Sequence, residues 1–297
     1  MQKLISGRRK TFLMLNSMLI VLLTIVCVIP IWTMFCYSLS SSSAVSSGLV
    51  TIWPKDLTDA AYKHVMANSR FWTSLNVTFQ RIALGLPITM LMIILAAYPL
   101  SKSQSTFKAR KYYTVYFVFT MLFSGGMIPT YMLVNKLGLI DSIWSLVLPM
   151  AVPVFNVVLL MNFFRSLPSE IEEAALIDGA SQWTILIRIM LPLSMPSLAT
   201  VCLFVLLSHW NSWFDGILYM NYPRNYPMQS YLQTINTDST QLLLQGGNIQ
   251  EVMDRMKVSN DNLRAAQIFV SMIPVMIVYP FLQKYFTAGL VIGSVKG

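Results

Sequence analysis

The sequence contains very little charge for its length. Of its 297 residues only 11% are Asp, Glu, Lys or Arg, whereas 55% are apolar and the mean hydropathy is +0.60. A soluble globular domain has about a quarter of its residues charged, because charged side chains cover its surface. The composition therefore excludes an ordinary soluble domain and indicates a protein embedded in a lipid bilayer.

Two further absences narrow the class of protein. The sequence has no GxxxxGK[ST] phosphate-binding loop, so this chain is not itself a P-loop ATPase. The three cysteines, Cys27, Cys36 and Cys202, are isolated in mostly apolar sequence, which argues against a disulfide framework or a metal site. We expect them to be packing residues, and we expect no cofactor bound to this chain.

Six apolar runs are long enough for a helix to cross about 30 Å of hydrocarbon. They are Leu13–Phe35, Ser74–Tyr98, Tyr113–Leu133, Ile143–Phe163, Leu193–Met220 and Ala266–Phe286. The first run follows the basic segment KLISGRRK, but it is too long for a signal peptide and lacks a small-x-small cleavage site. We therefore predict an all-α membrane protein with six transmembrane helices, an uncleaved first span and a single domain over residues 1–297.

Lysine and arginine are concentrated in two of the polar segments. They are Lys3, Arg8, Arg9 and Lys10 before the first span, and Lys102, Lys108, Arg110 and Lys111 after the second. The positive-inside rule places both segments in the cytoplasm, and with six spans the C-terminal tail at 285–297 lies there too. We interpret the net charge of +9 as topology and contact with anionic lipid, and not as nucleic-acid binding.

The loop at about 165–192 holds the densest cluster of carboxylates and is predicted to be cytoplasmic. These carboxylates belong to Glu170, Glu172, Glu173 and Asp178. Ser169 and Glu172 fit a capping box at the start of a short helix, with acidic residues facing its positive end. Gly179 is predicted to end this helix with a positive φ. A second amphipathic run, Trp183–Met190, leads into the next span.

The pattern alone fits a pair of amphipathic helices on the membrane surface. Its spacing, however, resembles the signature loop of ABC importer permeases: Glu173-Ala174-Ala175, three residues, Gly179, nine residues, Ile189, one residue, then Leu191-Pro192. The resemblance implies the type I ABC importer permease fold, in which this loop is a coupling helix that docks on a cytoplasmic ATPase subunit. The coupling residues it implies are Glu172, Glu173, Ala174, Ala175, Asp178, Gly179, Ile189 and Pro192.

The resemblance extends over about Ser74–Gly297. The segments FSGGMIPTYMLVNKLGLIDSIWSLVLP, HWNSWFDGILYMN and YPFLQKYFTAGLVIGSVKG look like the carbohydrate-uptake branch, in the subgroup of polysaccharide and oligosaccharide importers that includes alginate permeases. The likeness implies an oligosaccharide cargo, a bacterial cytoplasmic membrane and cytoplasmic termini. The implied partners are a second homologous permease, an extracytoplasmic solute-binding protein and two ATPase subunits that hold ATP and Mg. The outer loop at about 221–265 departs from the subgroup, and its amphipathic stretches at 228–244 and 249–256 are the expected dock for the binding protein.

Polar and aromatic residues at membrane depth are the candidates for a cargo pathway, because such groups are costly in lipid unless they face a cavity or a partner. They are Asn211, Trp213, Asp215, Tyr219, His209, Trp210, Asn156 and Arg81. On one continuous fifth helix most of the polar ones fall within about a 100° sector, edged by indole, which suits hydrogen bonding and stacking on sugars. Ser208 and Ser212 better fit hydrogen bonding between helices, and His209 fits either role.

Two features of the second and third spans have open interpretations. Arg81 could pair with Asp215, line the path and favour an anionic sugar, or extend its head group outward to the interface. The Ser124-Gly125-Gly126 stretch and Pro129 interrupt a helix and predict either a gate beside the pathway or close helix packing.

Two other classes of membrane protein remain as alternatives. An ion-coupled secondary transporter would use carboxylates near the bilayer centre and inverted repeats, whereas this sequence has one aspartate near an outer helix end and no visible repeat. A structural or receptor-type protein would leave the carboxylate-rich loop without a binding partner. Within the importers, a peptide or phosphate cargo is a further alternative to a sugar.

Overall fold

The computed structural model describes residues 7–234 and 260–294, and the regular structure in these ranges is helical. Three helices are long and apolar enough to cross a membrane alone: α1 (Gly7–Ser38), α4 (Ser69–Ser101) and α14 (Asn260–Ser294), the last over Asp261–Val278. Shorter helices outside the spans include α2 (Ser42–Ser46), α3 (Ala60–Ala67), α9 (Ser169–Ile177) and α13 (Phe214–Tyr219). The predicted all-α class is confirmed.

The other predicted spans are bent pairs of helices. The pairs are α5 (Arg110–Leu122) with α6 (Met127–Lys136), bent by 111°; α7 (Ile143–Val147) and the turn to Met150 with α8 (Val154–Ser166), bent by 47°; and the stretch from α10 (Gln182–Ile185) through α11 (Leu191–Leu193) with α12 (Met195–Asn211), bent by 83°. The described residues therefore hold six spans if each bent pair makes one crossing.

Each bend has a local cause in the sequence. Gly126 has a φ of +92°, a conformation that side chains disfavour, and it separates α5 from α6. Pro153 has no N–H to donate and lies at the start of α8. Pro192 and Pro196 flank the non-helical Ser194 between α11 and α12. Proline or glycine therefore lies at each of these three bends, and the third bent pair begins at Gln182, before the predicted start of the fifth span at Leu193.

The described residues form two compact units, of which the first contains 7–69 and 260–272. Its α1 is exposed along the whole apolar window, so this surface must be covered by lipid or by another protein. The segment after α1 folds back on the helix end, where the Trp32 indole donates to the Ile52 carbonyl at 2.7 Å. Cys36, Ala44, Val45 and Val50 form a small core beneath it.

The second unit contains 70–234 and 273–294, and one face of α4 is central to it. The buried residues of α4 recur every three or four positions, as expected for one side of a helix. They are Phe71, Ser74, Thr78, Arg81, Gly85, Thr89, Ile93, Ala97, Tyr98 and Leu100. The C-terminal half of this face packs in an apolar core with residues of α8 and α12, such as Leu160 and Val201. The N-terminal half is polar, and that difference positions the site described below.

The start of the predicted outer loop packs against the second unit. The Met228 N–H donates to the Thr78 hydroxyl at 2.8 Å, and the Ser230 hydroxyl donates to the Trp213 carbonyl at 2.7 Å. The remainder of that loop up to residue 259, including most of its two amphipathic stretches, lies outside the described residues. At the C-terminus, the backbone is helical through Ser294, past the predicted end of the last span at Phe286.

Candidate functional site

The carboxylate-rich loop contains the predicted short helix, α9, but its start differs from the prediction. Pro168 occupies the N-cap with φ −60° and ψ 129°, and Ser169 is already inside the helix. The capping box of Ser169 with Glu172 is therefore wrong, because a helical Ser169 cannot cap the helix that contains it. Glu170 and Glu172 nevertheless lie in the first turn, where the helix dipole favours negative charge.

The end of α9 is as predicted. Gly179 has a φ of +79° and directly follows the last helical turn and its cap, Asp178. The Ala180 N–H donates to the Ala175 carbonyl at 2.9 Å, and the Gly179 N–H donates to the Leu176 carbonyl at 3.1 Å. These two hydrogen bonds form a Schellman motif, which satisfies carbonyls at the helix end and turns the chain sharply.

The two sides of α9 have different surroundings. Ala175 is buried in the apolar core of the second unit. Glu173 and Ala174 are exposed, and so is Ile177, at 86% of its surface. α9 therefore buries the small side chain of Ala175 and exposes an acidic group, Glu173, and an apolar group, Ile177. Such a surface suits contact with another protein.

Glu172 points into the chain, although the sequence analysis assigned it to an external partner. Its carboxylate forms an ion pair with Lys102, which lies just after α4, and the two side chains are 21% and 8% exposed. The Lys102 ammonium also lies 3.8 Å from the ring centroid of Tyr98. Burial lowers the pKa of Lys102, while the hydrogen bond and the charge of Glu172 act in the opposite direction.

Two more polar contacts join the end of α4 to this loop region. The Tyr98 hydroxyl donates to the Gln182 side-chain oxygen at 2.8 Å, and Arg165 Nη2 donates to the Leu100 carbonyl at 3.1 Å. From the sequence, Lys102 contributed only to the predicted orientation in the membrane. Its partner is 70 residues away, and no local pattern reports so distant a pairing.

The second half of the signature loop is less regular than a single amphipathic helix. α10 begins after Ser181, whose hydroxyl accepts from the Thr184 N–H at 3.2 Å, and a π-helical turn follows at Leu186–Met190. Ile189 packs against the apolar core, whereas Pro192 is exposed. Of the predicted coupling residues, those at the end of the motif thus serve packing and the bend into α12.

The fifth predicted span is not one continuous helix. α12 ends at Asn211, Ser212 is extended with a ψ of 122°, and α13 begins at Phe214. The prediction of one polar sector from 208 to 219 is therefore wrong. The Ser212 hydroxyl donates to Asp215 Oδ1 at 2.8 Å, a local hydrogen bond that competes with helix continuation.

The break brings Asp215 to the buried guanidinium of Arg81. Arg81 is 0% exposed and forms an ion pair with Asp215 through both terminal nitrogens, with Nη1 to Oδ1 at 3.2 Å. Its Nη1 also lies 3.4 Å from the Ser212 carbonyl, and its Nε donates to His209 Nδ1 at 3.3 Å. We call these four residues the Arg81 cluster. Pairing with Asp215 is the alternative that the structure selects, and outward extension of Arg81 is wrong.

His209 is a packed member of this cluster. Its ring lies so close to Gly85 that a Cβ there would be 2.7 Å from the ring carbon Cε1. Its Nε2 lies 3.5 Å from the Thr89 hydroxyl, and its Nδ1 accepts from Arg81, which together describe a neutral ring that donates through Nε2. Gly85 and Thr89 were not among the predicted pathway residues, although they lie on the buried face of α4 at helical spacing from Arg81.

The other pathway candidates fall into two groups. Asn156 lines a cavity of about 240 Å³ together with Ser208, His209 and Thr89. Asn211 and Trp213 are exposed at the break between α12 and α13, outside the lining of that cavity. The structure thus brings Asn156 to His209, and it places the exposed amide and indole elsewhere.

Two aromatic candidates are packed inside the second unit. Tyr219 is 5% exposed and stacks on Tyr131, with ring centroids 6.4 Å apart and an interplanar angle of 11°. Trp210 is also 5% exposed and makes an edge contact with Phe79 at 6.1 Å. Both rings therefore support the fold around the break, and neither offers an open face for stacking in this conformation.

The predicted interruption of the third span is confirmed, since α5 ends before Gly126 and α6 begins after it. Gly125, Gly126 and Pro129 are all exposed, and a Cβ at Gly125 would meet nothing within 4 Å. Among the described residues, then, these glycines do not mediate close helix packing. A gate at this position stays a prediction.

The fold and these two sites define a polytopic helical membrane protein. Outside its spans it carries a short helix, α9, that ends in a Schellman motif and exposes Glu173 and Ile177. The chain belongs to the family of binding-protein-dependent transport system inner membrane components, whose family model matches residues 60–292. Family membership confirms the predicted ABC importer permease, a transport component of the inner membrane.

The individual relatives point the same way. The polygalacturonan/rhamnogalacturonan transport system permease protein YtcP of Bacillus subtilis is 36% identical over 98% of this chain and 100% of its own length. Protein LplC of the same organism is 39% identical over 89% of this chain and 88% of its own. A crystal structure of a bacterial ABC transporter involved in the import of the acidic polysaccharide alginate contains a chain with a TM-score of 0.83 and 32% identity, covering 96% of this chain and all of that one.

Proposed function

We propose that this permease passes an oligosaccharide from an extracytoplasmic solute-binding protein into the cytoplasm, driven by ATP hydrolysis on two partner ATPase subunits. The observation that carries the proposal is α9, a short helix with a firm end at Gly179 and an exposed acidic and apolar surface at Glu173, Ala174 and Ile177. This is the segment that carries the importer signature.

The coupling role follows from the physical properties of α9. A helix whose end is closed by a Schellman motif moves as one body and so transmits displacement. The exposed Glu173 carboxylate matches a basic group in a groove of the ATPase, and Ala174 allows close approach of the groove wall. ATP and Mg are then held by the ATPase subunits, and both termini of this chain lie on the cytoplasmic side together with α9.

A second, homologous permease completes the membrane-spanning part in this proposal. Two ATPase subunits that close on each other need one coupling helix each, and this sequence carries the signature once. The apolar surface of α1, exposed along its whole window, provides area for contact with lipid and with the second permease. The binding protein docks on the outer loop at about 221–265.

The cargo class is inferred from the relatives. Besides YtcP, a galactooligosaccharide permease of Bacillus subtilis is 28% identical over 98% of both chains, and an arabinooligosaccharide permease of Halalkalibacterium halodurans is 30% identical over 64% of this chain. The exposed Asn211 and Trp213 supply an amide and an indole for a sugar. Arg81 is neutralised by Asp215 and does not favour an anionic cargo over a neutral one.

Reconstituted uptake tests this proposal. The complex of this chain with its co-purified permease, ATPase subunits and binding protein is placed in proteoliposomes and offered labelled neutral galactooligosaccharides or acidic oligogalacturonides. We expect uptake that requires ATP and persists when ionophores remove the proton and sodium gradients. Uptake that follows the ion gradients without ATP would establish a secondary transporter instead, and a chain that purifies with no ATPase would refute the coupling role.

A further inference from the structure

The end of α4 is joined to the region of α9 and α10 by polar contacts that the proposed docking surface does not use. We define the Lys102 link as the ion pair of Lys102 with Glu172 and the hydrogen bond from Tyr98 to Gln182. The Tyr98 ring also lies under the Lys102 ammonium at 3.8 Å, so the two contacts share one aromatic side chain.

The Lys102 link is shielded from water, unlike a surface ion pair. The Lys102 side chain is 8% exposed, whereas the ion pair of Lys63 with Asp59 at the start of α3 has side chains that are 76% and 66% exposed. An exposed pair such as Lys63 with Asp59 contributes little to stability, because water screens both charges. Separating Lys102 from Glu172 would leave two poorly hydrated charges, so the end of α4 resists moving away from α9.

Apolar contacts continue the same connection. Tyr98 and Leu100 at the end of α4 belong to one buried cluster with Ala175 of α9 and with Ile185 and Leu186. The short helix that faces the ATPase is thus held to α4 by an apolar contact and by the Lys102 link. A displacement of α9 cannot leave the end of α4 behind without opening both.

The other end of the buried face of α4 carries Arg81. Arg81 and Lys102 are 21 positions apart in the sequence, about 31 Å at the rise of an α-helix. Arg81 contacts His209 and Asp215, which lie on the chain that continues from α9 through α12. α4 therefore contacts the coupling region at one end and the Arg81 cluster at the other.

Resting on the proposed function, we infer that Lys102 is a positioning residue that passes the displacement of α9 to α4, and so to the Arg81 cluster. Glu172 receives this role in place of the ATPase contact, which falls to Glu173. The two neighbouring acidic residues thus have different roles: Glu173 faces the ATPase subunit, and Glu172 holds α4 through Lys102. Loss of Lys102 should then uncouple ATP hydrolysis from stimulation by the cargo-loaded binding protein without detaching the ATPase.

The test is Lys102→Met in the full complex with both permeases, the ATPase subunits and the cargo-loaded binding protein, in lipid nanodiscs. We expect ATPase attachment and basal hydrolysis to match the wild type. Stimulation of hydrolysis by the loaded binding protein should fall by roughly 5- to 150-fold, the range of typical coupling between distant sites. Lys108→Met, an exposed lysine of the same loop, is the matched control and should keep full stimulation.

Two rescue variants separate positioning from simple loss of packing. Lys102→Arg keeps the cation and should keep most of the stimulation. The exchange Lys102→Glu with Glu172→Lys restores an ion pair of reversed polarity and should recover stimulation above the level of Lys102→Met. An exchange variant that assembles normally and shows no recovery would contradict the assignment.

A variant without charge change covers the case in which Lys102→Met fails to assemble. Tyr98→Phe keeps the ring under the ammonium and removes only the hydrogen bond to Gln182. We expect it to lose stimulation, but several-fold less than Lys102→Met. Wild-type stimulation in Tyr98→Phe, together with wild-type stimulation in Lys102→Met if that variant assembles, would overturn the inference. A wild-type complex with no stimulated hydrolysis would instead overturn the proposed function, so the two failures are distinguishable.

Discussion

Arg81 and Asp215, 134 residues apart in the sequence, form an ion pair that is fully buried on the arginine side. The pair joins α4 to the break between α12 and α13. The Asp215 carboxylate neutralises the buried guanidinium of Arg81. Because Asp215 also accepts from the Ser212 hydroxyl and the Gly216 N–H, one carboxylate organises the break and neutralises the arginine.

Asp215→Asn should therefore destabilise the protein strongly. It leaves the Arg81 guanidinium buried without a counter-charge, and breaking such pairs costs about 3–5 kcal/mol in soluble proteins. The double variant Arg81→Met with Asp215→Leu removes both charges and should recover much of that loss. Thermal unfolding of the purified protein in one detergent measures both.

Asp59→Asn is the matched control for this prediction. Asp59 pairs with Lys63 at 2.9 Å, and both side chains are mostly exposed. Solvent screens such an exposed pair, so its contribution to stability is small and the unfolding midpoint should barely change. Equal effects of the two substitutions would show that burial does not set the importance of the Arg81 pair.

Gly85→Ala should disturb the Arg81 cluster through His209. An added Cβ would be 2.7 Å from His209 Cε1 and 2.8 Å from Nε2, so the ring must move and lose its contacts with Arg81 and Thr89. We expect the free energy of unfolding to fall by roughly 1–3 kcal/mol, as at other overpacked sites. In a His209→Ala background the same change should be almost neutral, and additive effects in this double-mutant cycle would refute direct packing.

Gly179 should tolerate asparagine far better than valine. Its φ of +79° is strained for a side chain although a Cβ would meet nothing within 4 Å, so the cost comes from the backbone alone. Asparagine adopts this region readily, whereas a β-branched residue does not. We expect Gly179→Val to reduce stimulated ATP hydrolysis with membrane insertion intact, and Gly179→Asn to keep most of it. Full stimulation in Gly179→Val would count against a coupling role for the end of α9.

Glu173→Lys tests the partner-facing side of the same helix. Glu173 is exposed, so the reversal of charge should leave the fold unchanged and weaken attachment of the ATPase, measured by co-purification. Glu170→Lys, another exposed acidic residue in the first turn of α9, is the control. Equal loss of attachment in both variants would indicate a general electrostatic effect.

Asn211→Ala and Trp213→Ala should weaken uptake without loosening ATPase attachment. Both side chains are exposed at the break after α12, where they can reach a sugar without unpacking the core. We expect a several-fold rise in the cargo concentration needed for half-maximal uptake, because hydrogen bonds and stacking each contribute about a kilocalorie per mole. Unchanged uptake kinetics in both variants would remove these residues from the pathway.

Helix class and the C-terminal end of α9 could be predicted because they depend on short-range chemistry. Long apolar runs select membrane helices, and Gly179 ends α9 wherever the helix lies. The continuous fifth span was wrong because hydropathy averages over Ser212 and Trp213, where local hydrogen bonds interrupt the helix. The predicted capping box was wrong because α9 begins one residue earlier than expected, with Pro168 as its N-cap and Ser169 inside the helix.

The amino-acid sequence by itself determined that this protein lies in a bilayer, that it is helical, and that one loop carries the importer signature. Each of these follows from composition or from spacing within a few turns of the chain. Only the tertiary structure decided that Arg81 pairs with Asp215, that His209 packs on Gly85, and that Glu172 turns inward to Lys102. The physical reason is that buried charges choose their partners by proximity in space, and residues 70 to 134 positions apart become neighbours only once the helices have packed.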